Sequence, residues 1–320
     1  MNIYTRLNKF GRDLAGNPPW TNVYGLARSV LAMGTCLTLL VNDPVVLFPF
    51  RNKLPASLFP LTEISIFHLL ISHLHSAKWL AVIFLLAVVV GWRPRITGLL
   101  HWWVCYSFFS SSPVVDGGDH VASIITLLLV PICLTDPRKW HWESLPAAYP
   151  KSKYYDLAAI GGWFCVSLIR LQVSIIYLHA AVAKFKVYEW VNGTAVYYWS
   201  LHPYHGAPSW LRPFLLPLMS NPMMVIIITW GTLIFELLLF TAIVIDKTSR
   251  KRLLLLSLGI LFHFLIVLVH GLFSFFFTMA AALMLYLLPW DRGLEIPHPK
   301  WKVGFTGQSP VAEPMKSAPI

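Results

Sequence analysis

The stretch Ile176–Trp199 reads IYLHAAVAKFKVYEWVNGTAVYYW; it begins inside an expected membrane helix, yet carries His179 and Lys184. Loss of water disfavours an ammonium, so a partly buried lysine can act as a base near neutral pH. A nearby imidazole can hold or relay the proton. Arg170, Ser174, Tyr177, Ala181 and Lys184 follow i, i+4, i+7, i+11 and i+14, one helix face, with Gln172, His179 and Lys186 nearly opposite. Both faces are expected to meet protein or water, because unpaired ionisable groups in hydrocarbon are expensive. Other groups with chemistry to offer are His120 in DGGDH (Asp116–His120), His263, His270 and Glu236 in FELLLF. Spacing alone favours a simpler role for Lys184, snorkelling to the outer headgroups. Singly, the histidines fit interfacial or packing roles. His120, His179, His263 and His270 lack the i, i+4 spacing of a helical metal site, so no metal is assigned to them.

What must position these residues is a set of membrane helices. The chain has 320 residues. It is 57% hydrophobic and 12% charged, with mean hydropathy +0.63. Soluble domains carry about 25% charge, so the bilayer is this chain's solvent. The formal charge of +11 sits in short loops between apolar runs, where it sets topology and does not form a nucleic-acid groove. Cys36, Cys105, Cys133 and Cys165 fall within expected spans, which argues against a disulfide framework or a thiolate zinc site. No cleavage site follows the first apolar run, which reads as a retained anchor.

A spanning helix needs about 20 mostly apolar residues. Eight segments qualify, some only if short or tilted: Val23–Val41, Ala77–Trp92, Ile96–Ser112, His120–Leu134, Ala158–Phe185, Met223–Ile245, Leu253–Val269 and Phe273–Leu288. The expected fold class is an all-α polytopic membrane protein of about eight helices, with interfacial helices in two long outer connections. In one of these, Ile64, Phe67, Leu70, Ile71 and Leu74 recur at helical spacing. Residues 1–22 form an expected N-terminal arm, 23–290 the membrane domain, and 291–320 a proline-rich, largely disordered tail.

With eight spans, Arg6, Lys9 and Arg12, the GWRPR loop (Gly91–Arg95), Arg138, Lys139, Lys151 and Lys153, the DKTSRKR loop, and Arg292, Lys300, Lys302 and Lys316 all fall on one side. The positive-inside rule makes that side, and both termini, cytoplasmic. Lys184, His120 and His270 then reach the outer end, and His179 and His263 lie roughly 8 and 10 Å deeper by helix rise. Counted from the outer start of its span, Glu236 lies about 20 Å deep, level with Arg170 by the same rise. A buried Arg170–Glu236 ion pair, locking two spans together, is expected.

The segment YLHAAVAKFKVYEWVNGTAVYY resembles the signature of HTTM domains, the membrane domain shared with vitamin K-dependent γ-carboxylases. GWRPRITGLLHWW (Gly91–Trp103), DGGDHV (Asp116–Val121) and LTDPRKWHW (Leu134–Trp142) resemble the bacterial sporulation-delaying protein B family, over about Tyr24 to Trp290. The resemblance implies a multi-pass protein of the bacterial cytoplasmic (inner) membrane. It would be needed to make a secreted antimicrobial peptide toxin, working on the toxin precursor among membrane lipids with a partner protein from the same gene cluster. In the carboxylases the signature lysine is a base toward vitamin K hydroquinone, supported by a histidine of an Asn-His motif. These match Lys184 and His120, although Asp119 precedes the histidine here and one extra residue separates Lys184 from Trp190. A quinone-like lipidic cofactor is thereby implied, with Tyr177, Trp190 and His270 as its expected contacts.

Two readings follow. In one, a peptide-modifying enzyme uses Lys184 as base, with His120, His179 and His263 as catalytic relay groups. In the other, a non-catalytic binder or export factor holds the toxin precursor. A transporter is disfavoured by the lack of an inverted repeat.

Overall fold

The computed structural model describes residues 3–49, 62–145, 152–290 and 293. The longer helices are α1 (Ile3–Gly16), α2 (Asn22–Val41), α3 (Leu74–Val89), α4 (Pro94–Ser111), α5 (Gly117–Thr135), α6 (Lys153–Lys184), α7 (Pro222–Thr241), α8 (Arg250–His270) and α9 (Phe273–Leu287). Among the described residues the sole β-pairing is an isolated bridge between Trp92 and Trp140. Local sequence sets the helix starts. Pro94 and Pro222 stand in first turns, where no intrahelical N–H is needed. Asp116 caps α5 in a reciprocal capping box with Asp119.

The chain is a multi-pass all-α membrane protein. Each expected span coincides with a helix, and among the described residues six stretches are long and apolar enough to cross a bilayer: Asn22–Val41, Ile71–Val89, Gly117–Thr135, Lys153–Lys184, Pro222–Val244 and Arg250–His270. The other two, α4 and α9, are less apolar and shorter, respectively, so eight crossings are not established by length and composition. Both pack inside the protein: α9 lies chiefly on α2, and α4 on α5. From Thr278 to Leu287 nearly every α9 side chain is buried. By contrast α8 exposes Leu253, Leu254, Leu258, Leu261 and Leu265, a face suited to lipid.

The expected arm contains α1, which lies against α6 and is pinned where Trp163 Nε1 donates to Asn17 O at 2.6 Å. Residues 64–74 are not one continuous interfacial helix. They break into short turns at Thr62–Ile64, Ile66–Leu69 and Ile71–His73 before α3 begins. Ser65 caps the middle turn and drives Ile66 and Phe67 into a core with Phe48 and Phe108. The other long connection holds short helices at Tyr188–Val191, Ala195–Ser200 and Arg212–Met219. The tail beyond Trp290 lies outside the described residues, except Gly293.

At the end carrying the basic loops, the GWRPR and LTDPRKWHW segments clasp each other. Arg93 N donates to Lys139 O (2.7 Å) and His141 N to Gly91 O (3.0 Å). Gly91 has φ +86°, and a Cβ there would meet the His141 ring at 2.4 Å, so only glycine fits. Beneath lies a buried polar hub. Asp136 accepts from Arg138 Nε (2.9 Å) and Nη2 (2.8 Å) and from the Tyr24 hydroxyl. Arg138 Nη1 also donates to His141 O and Glu143 O, each at 2.9 Å. Arg28 donates to His141 Nδ1 (3.3 Å) and Thr97 Oγ1 (3.1 Å). Because Nδ1 accepts, Nε2 carries the ring hydrogen and lies 3.3 Å from Ser29 Oγ.

Burial, then the Arg28 and Arg138 guanidiniums, push His141 down to about 2. In the unfolded chain it takes a proton near pH 6.5. Below that pH the unfolded state binds the extra proton, so stability falls as pH falls. The expected loss from this residue is about 2 kcal/mol between pH 6.5 and 5. Unfolding measured in detergent from pH 7.5 to 5 should show that slope, and His141→Gln should remove it. Equal slopes in both proteins would rule out a buried neutral imidazole.

Candidate functional site

The site is built where α6 ends. Tyr177, Ala181 and Lys184 share one face of that helix, and Tyr177 and Ala181 are buried. Helical side chains lean toward the helix N-terminus, so Lys184 points back into the protein. Its Nζ donates to Ala180 O at 3.3 Å and to both oxygens of Glu236 on α7, at 2.6 and 2.8 Å. The Lys184 side chain is 22% exposed and that of Glu236 7%. The lysine is therefore held by a partner and does not snorkel outward.

After Lys184 the chain turns and runs alongside the first turns of α7. Gly193, at φ +82°, passes so close that a Cβ would meet Ile226 at 3.2 Å. Val196 N donates to Thr229 Oγ1 (3.3 Å). This cap brings Trp190 over the lysine, with Nζ 5.2 Å from the ring centroid, a cation–π contact. Below the pair, Tyr177 is 2% exposed, and its hydroxyl has no hydrogen-bond partner among the described residues. A buried, unsatisfied hydroxyl costs about 1–3 kcal/mol, which marks it as a donor awaiting an acceptor. On its far side the His263 ring lies 6.1 Å away, between Phe262 and Phe275. His263 Nδ1 donates to Gly259 O at 2.7 Å, and so carries a hydrogen.

Lys184, Glu236, Trp190, Tyr177 and His263 thus form one cluster. The other expected residues lie apart. His120 is exposed and stacks on Phe109 of α4, ring centroids 4.9 Å apart. His179 is exposed, about 200° around α6 from Tyr177. His270 Nδ1 donates to His205 O at 2.6 Å, tying the end of α8 to the long connection between α6 and α7. The expected Arg170–Glu236 pair does not form, because Glu236 belongs to Lys184. Arg170 lies fourteen residues, roughly 21 Å, down α6 from Lys184, and donates to Leu288 O at 3.3 Å. The depth count failed because α7 starts beyond Lys184: its first turns flank the Tyr188–Ser200 cap. The available signal was chemical, since a lone acid in an apolar helix demands a cation, and Lys184 was the alternative to Arg170.

The HTTM domain family matches residues 54–290, most of the chain. The chain belongs to that family. The chain is 40% identical over 285 residues to the uncharacterized protein YitO of Bacillus subtilis (strain 168), covering 87% of this chain and 88% of YitO. It is 36% identical over 289 residues to the sporulation-delaying protein SdpB of the same organism, covering 87% of this chain and 84% of SdpB. No solved structure matches. The sporulation-delaying protein B resemblance of the motifs therefore extends over nearly the whole chain. For this HTTM protein, the GWRPR and LTDPRKWHW motifs are explained by the polar hub, and the YLHAAVAKF segment by the Lys184 cluster.

Proposed function

We propose that this HTTM protein acts in producing a secreted antimicrobial peptide toxin, and modifies the peptide at an outer-leaflet site with Lys184 as base. The identity to a sporulation-delaying protein supports the coarse reading. The observation that carries the finer one is the closed Lys184–Glu236 pair beside the unpartnered Tyr177 hydroxyl. Out of bulk water, such a pair can hold its proton on either partner. With the proton on Glu236, Lys184 is a free amine that takes a proton from a bound substrate. Tyr177 donates to oxygen charge that develops there. His263 backs Tyr177 and is placed to hold its ring, whereas His120 and His179 have no part in the step.

The donor set fits a quinone-like lipidic cofactor: Tyr177 and Lys184 would hold its ring oxygens, and a bound hydroquinone would supply reducing equivalents. The protein resides in a bacterial cytoplasmic membrane with both termini cytoplasmic, and works with a partner from its own gene cluster. A binding or export role for the toxin precursor is the second reading. It is favoured by the exposed Tyr198, Trp199, Tyr204 and Trp210 of the outer connection, the amphipathic type of side chain found at headgroup level and at interfaces.

Intact mass of the secreted peptide decides between them. Wild-type cells are expected to secrete a peptide whose mass departs from its translated sequence. Lys184→Arg keeps the charge but cannot deprotonate, and should leave the peptide unmodified, a loss of about 10²–10⁴-fold in rate. Identical masses with toxin mislocalised would retire the base and favour the binder.

A further inference from the structure

At the basic-loop end, far from Lys184, a cavity of about 450 Å³ opens among Arg170, Asp246, Lys247, Thr248, Arg252 and Tyr286. A second chamber of about 180 Å³ shares Lys247, Thr248 and Arg252 with it. Among the described lining residues, Lys247 and Arg252 stand with one carboxylate, that of Asp246. That carboxylate is already engaged: Asp246 Oδ1 accepts from Thr248 N (2.8 Å) and Thr248 Oγ1 (2.5 Å).

Arg252 is 3% exposed. Its guanidinium donates to the carbonyls of Leu287 (3.1 Å), Ala242 (3.3 Å), Ile245 (3.0 Å) and Tyr286. Four of its five N–H groups are spent on neutral oxygens, one remains, and among the described residues no acid forms an ion pair with it. Lys247 is exposed, its ammonium 6.0 Å from the Trp163 ring centroid. Apart from Ser249 in the smaller chamber, the remaining walls are largely apolar, Ile243 and Ile245 in one chamber, Leu253, Leu287 and Pro289 in the other. Val244 and Leu253 stand exposed beside them.

We propose that this cavity binds the phosphate group of an anionic phospholipid. A buried charge is costly without a counter-charge in direct contact, and a phosphate oxygen would accept both from the remaining Arg252 N–H and from the Lys247 ammonium. The adjoining apolar surface receives the acyl chains. Basic pockets beside membrane helices on the positively charged side are where such headgroups bind. A bound lipid would tie α6, the Asp246–Ser249 turn and α9 together.

The test uses the full chain in detergent. Dioctanoyl phosphatidylglycerol is titrated while the unfolding temperature is read, with dioctanoyl phosphatidylcholine and inorganic phosphate as separate arms. Wild type should be stabilised by the glycerol lipid and not by the choline lipid. Lys247→Gln, an exposed position that leaves the fold intact, should require about fivefold more lipid for the same shift. An equal shift with inorganic phosphate alone would support the phosphate site and assign its ligand to the soluble pool. No shift with either phosphate source, or the same titration in wild type and Lys247→Gln, overturns the proposal.

Discussion

Lys184→Met is expected to lower stability by about 3 kcal/mol, because it strands the Glu236 carboxylate in an apolar helix without its cation. Methionine is close to lysine in length and flexibility, so the loss reads the missing charge and not a cavity. The pair is bidentate, at 2.6 and 2.8 Å, and Glu236 sits among side chains that offer it no other cation within ion-pairing distance among the described residues. Lys184→Met/Glu236→Gln removes both charges together. Replacing a buried ion pair by neutral groups is often close to neutral in stability, so the double variant should return to within about 1 kcal/mol of wild type. It should still leave the secreted peptide unmodified. Unfolding in detergent and intact mass of the peptide, measured on the same variants, separate the two roles. A double variant that is stable and still modifies peptide would make the pair a structural lock only. A Lys184→Met protein as stable as wild type would mean that the pair contributes nothing to the fold.

Asp136→Ala should be the most damaging substitution at the basic-loop end, with about 3–5 kcal/mol lost. Asp136 has no exposed surface, and it neutralises Arg138, which is itself buried. Its removal leaves a guanidinium without its counter-charge and the Tyr24 hydroxyl without its acceptor. The damage should spread, since Arg138 also holds the carbonyls of His141 and Glu143. Arg95 Nε, by contrast, bonds the Asp136 main-chain carbonyl at 2.7 Å and should persist. Folded protein recovered from membranes, and its unfolding midpoint, measure the effect. Glu143→Gln is the control: Glu143 is exposed, and exposed substitutions stay within about 0.5 kcal/mol. If Asp136→Ala behaves like Glu143→Gln, the hub is not what joins the two loops.

The pattern of apolar runs by itself determined that this is an all-α membrane protein, and placed each of the eight expected spans on a helix with ends a few residues off, though not α1. Helical periodicity also put Tyr177 and Lys184 on one face of α6, because that relation is internal to one rigid element. The motif segments around Lys184 and between Leu134 and Trp142 were legible as family features before any role could be given to them. The partners were decided by tertiary structure alone. Depth counted from helix starts paired Glu236 with Arg170, yet α7 begins about thirteen residues beyond Lys184's level, by an amount fixed by the cap that packs on it. His263 was brought to Tyr177, while His120 and His270 were turned to other neighbours and His179 to the exposed side of α6, because one helix's face says nothing about its rotation against the next. The hub of Tyr24, Arg28, Asp136, Arg138 and His141 was likewise invisible in the chain. Its members lie more than a hundred residues apart across α2 and the loop after α5, and only the packing of those elements makes their charges meet.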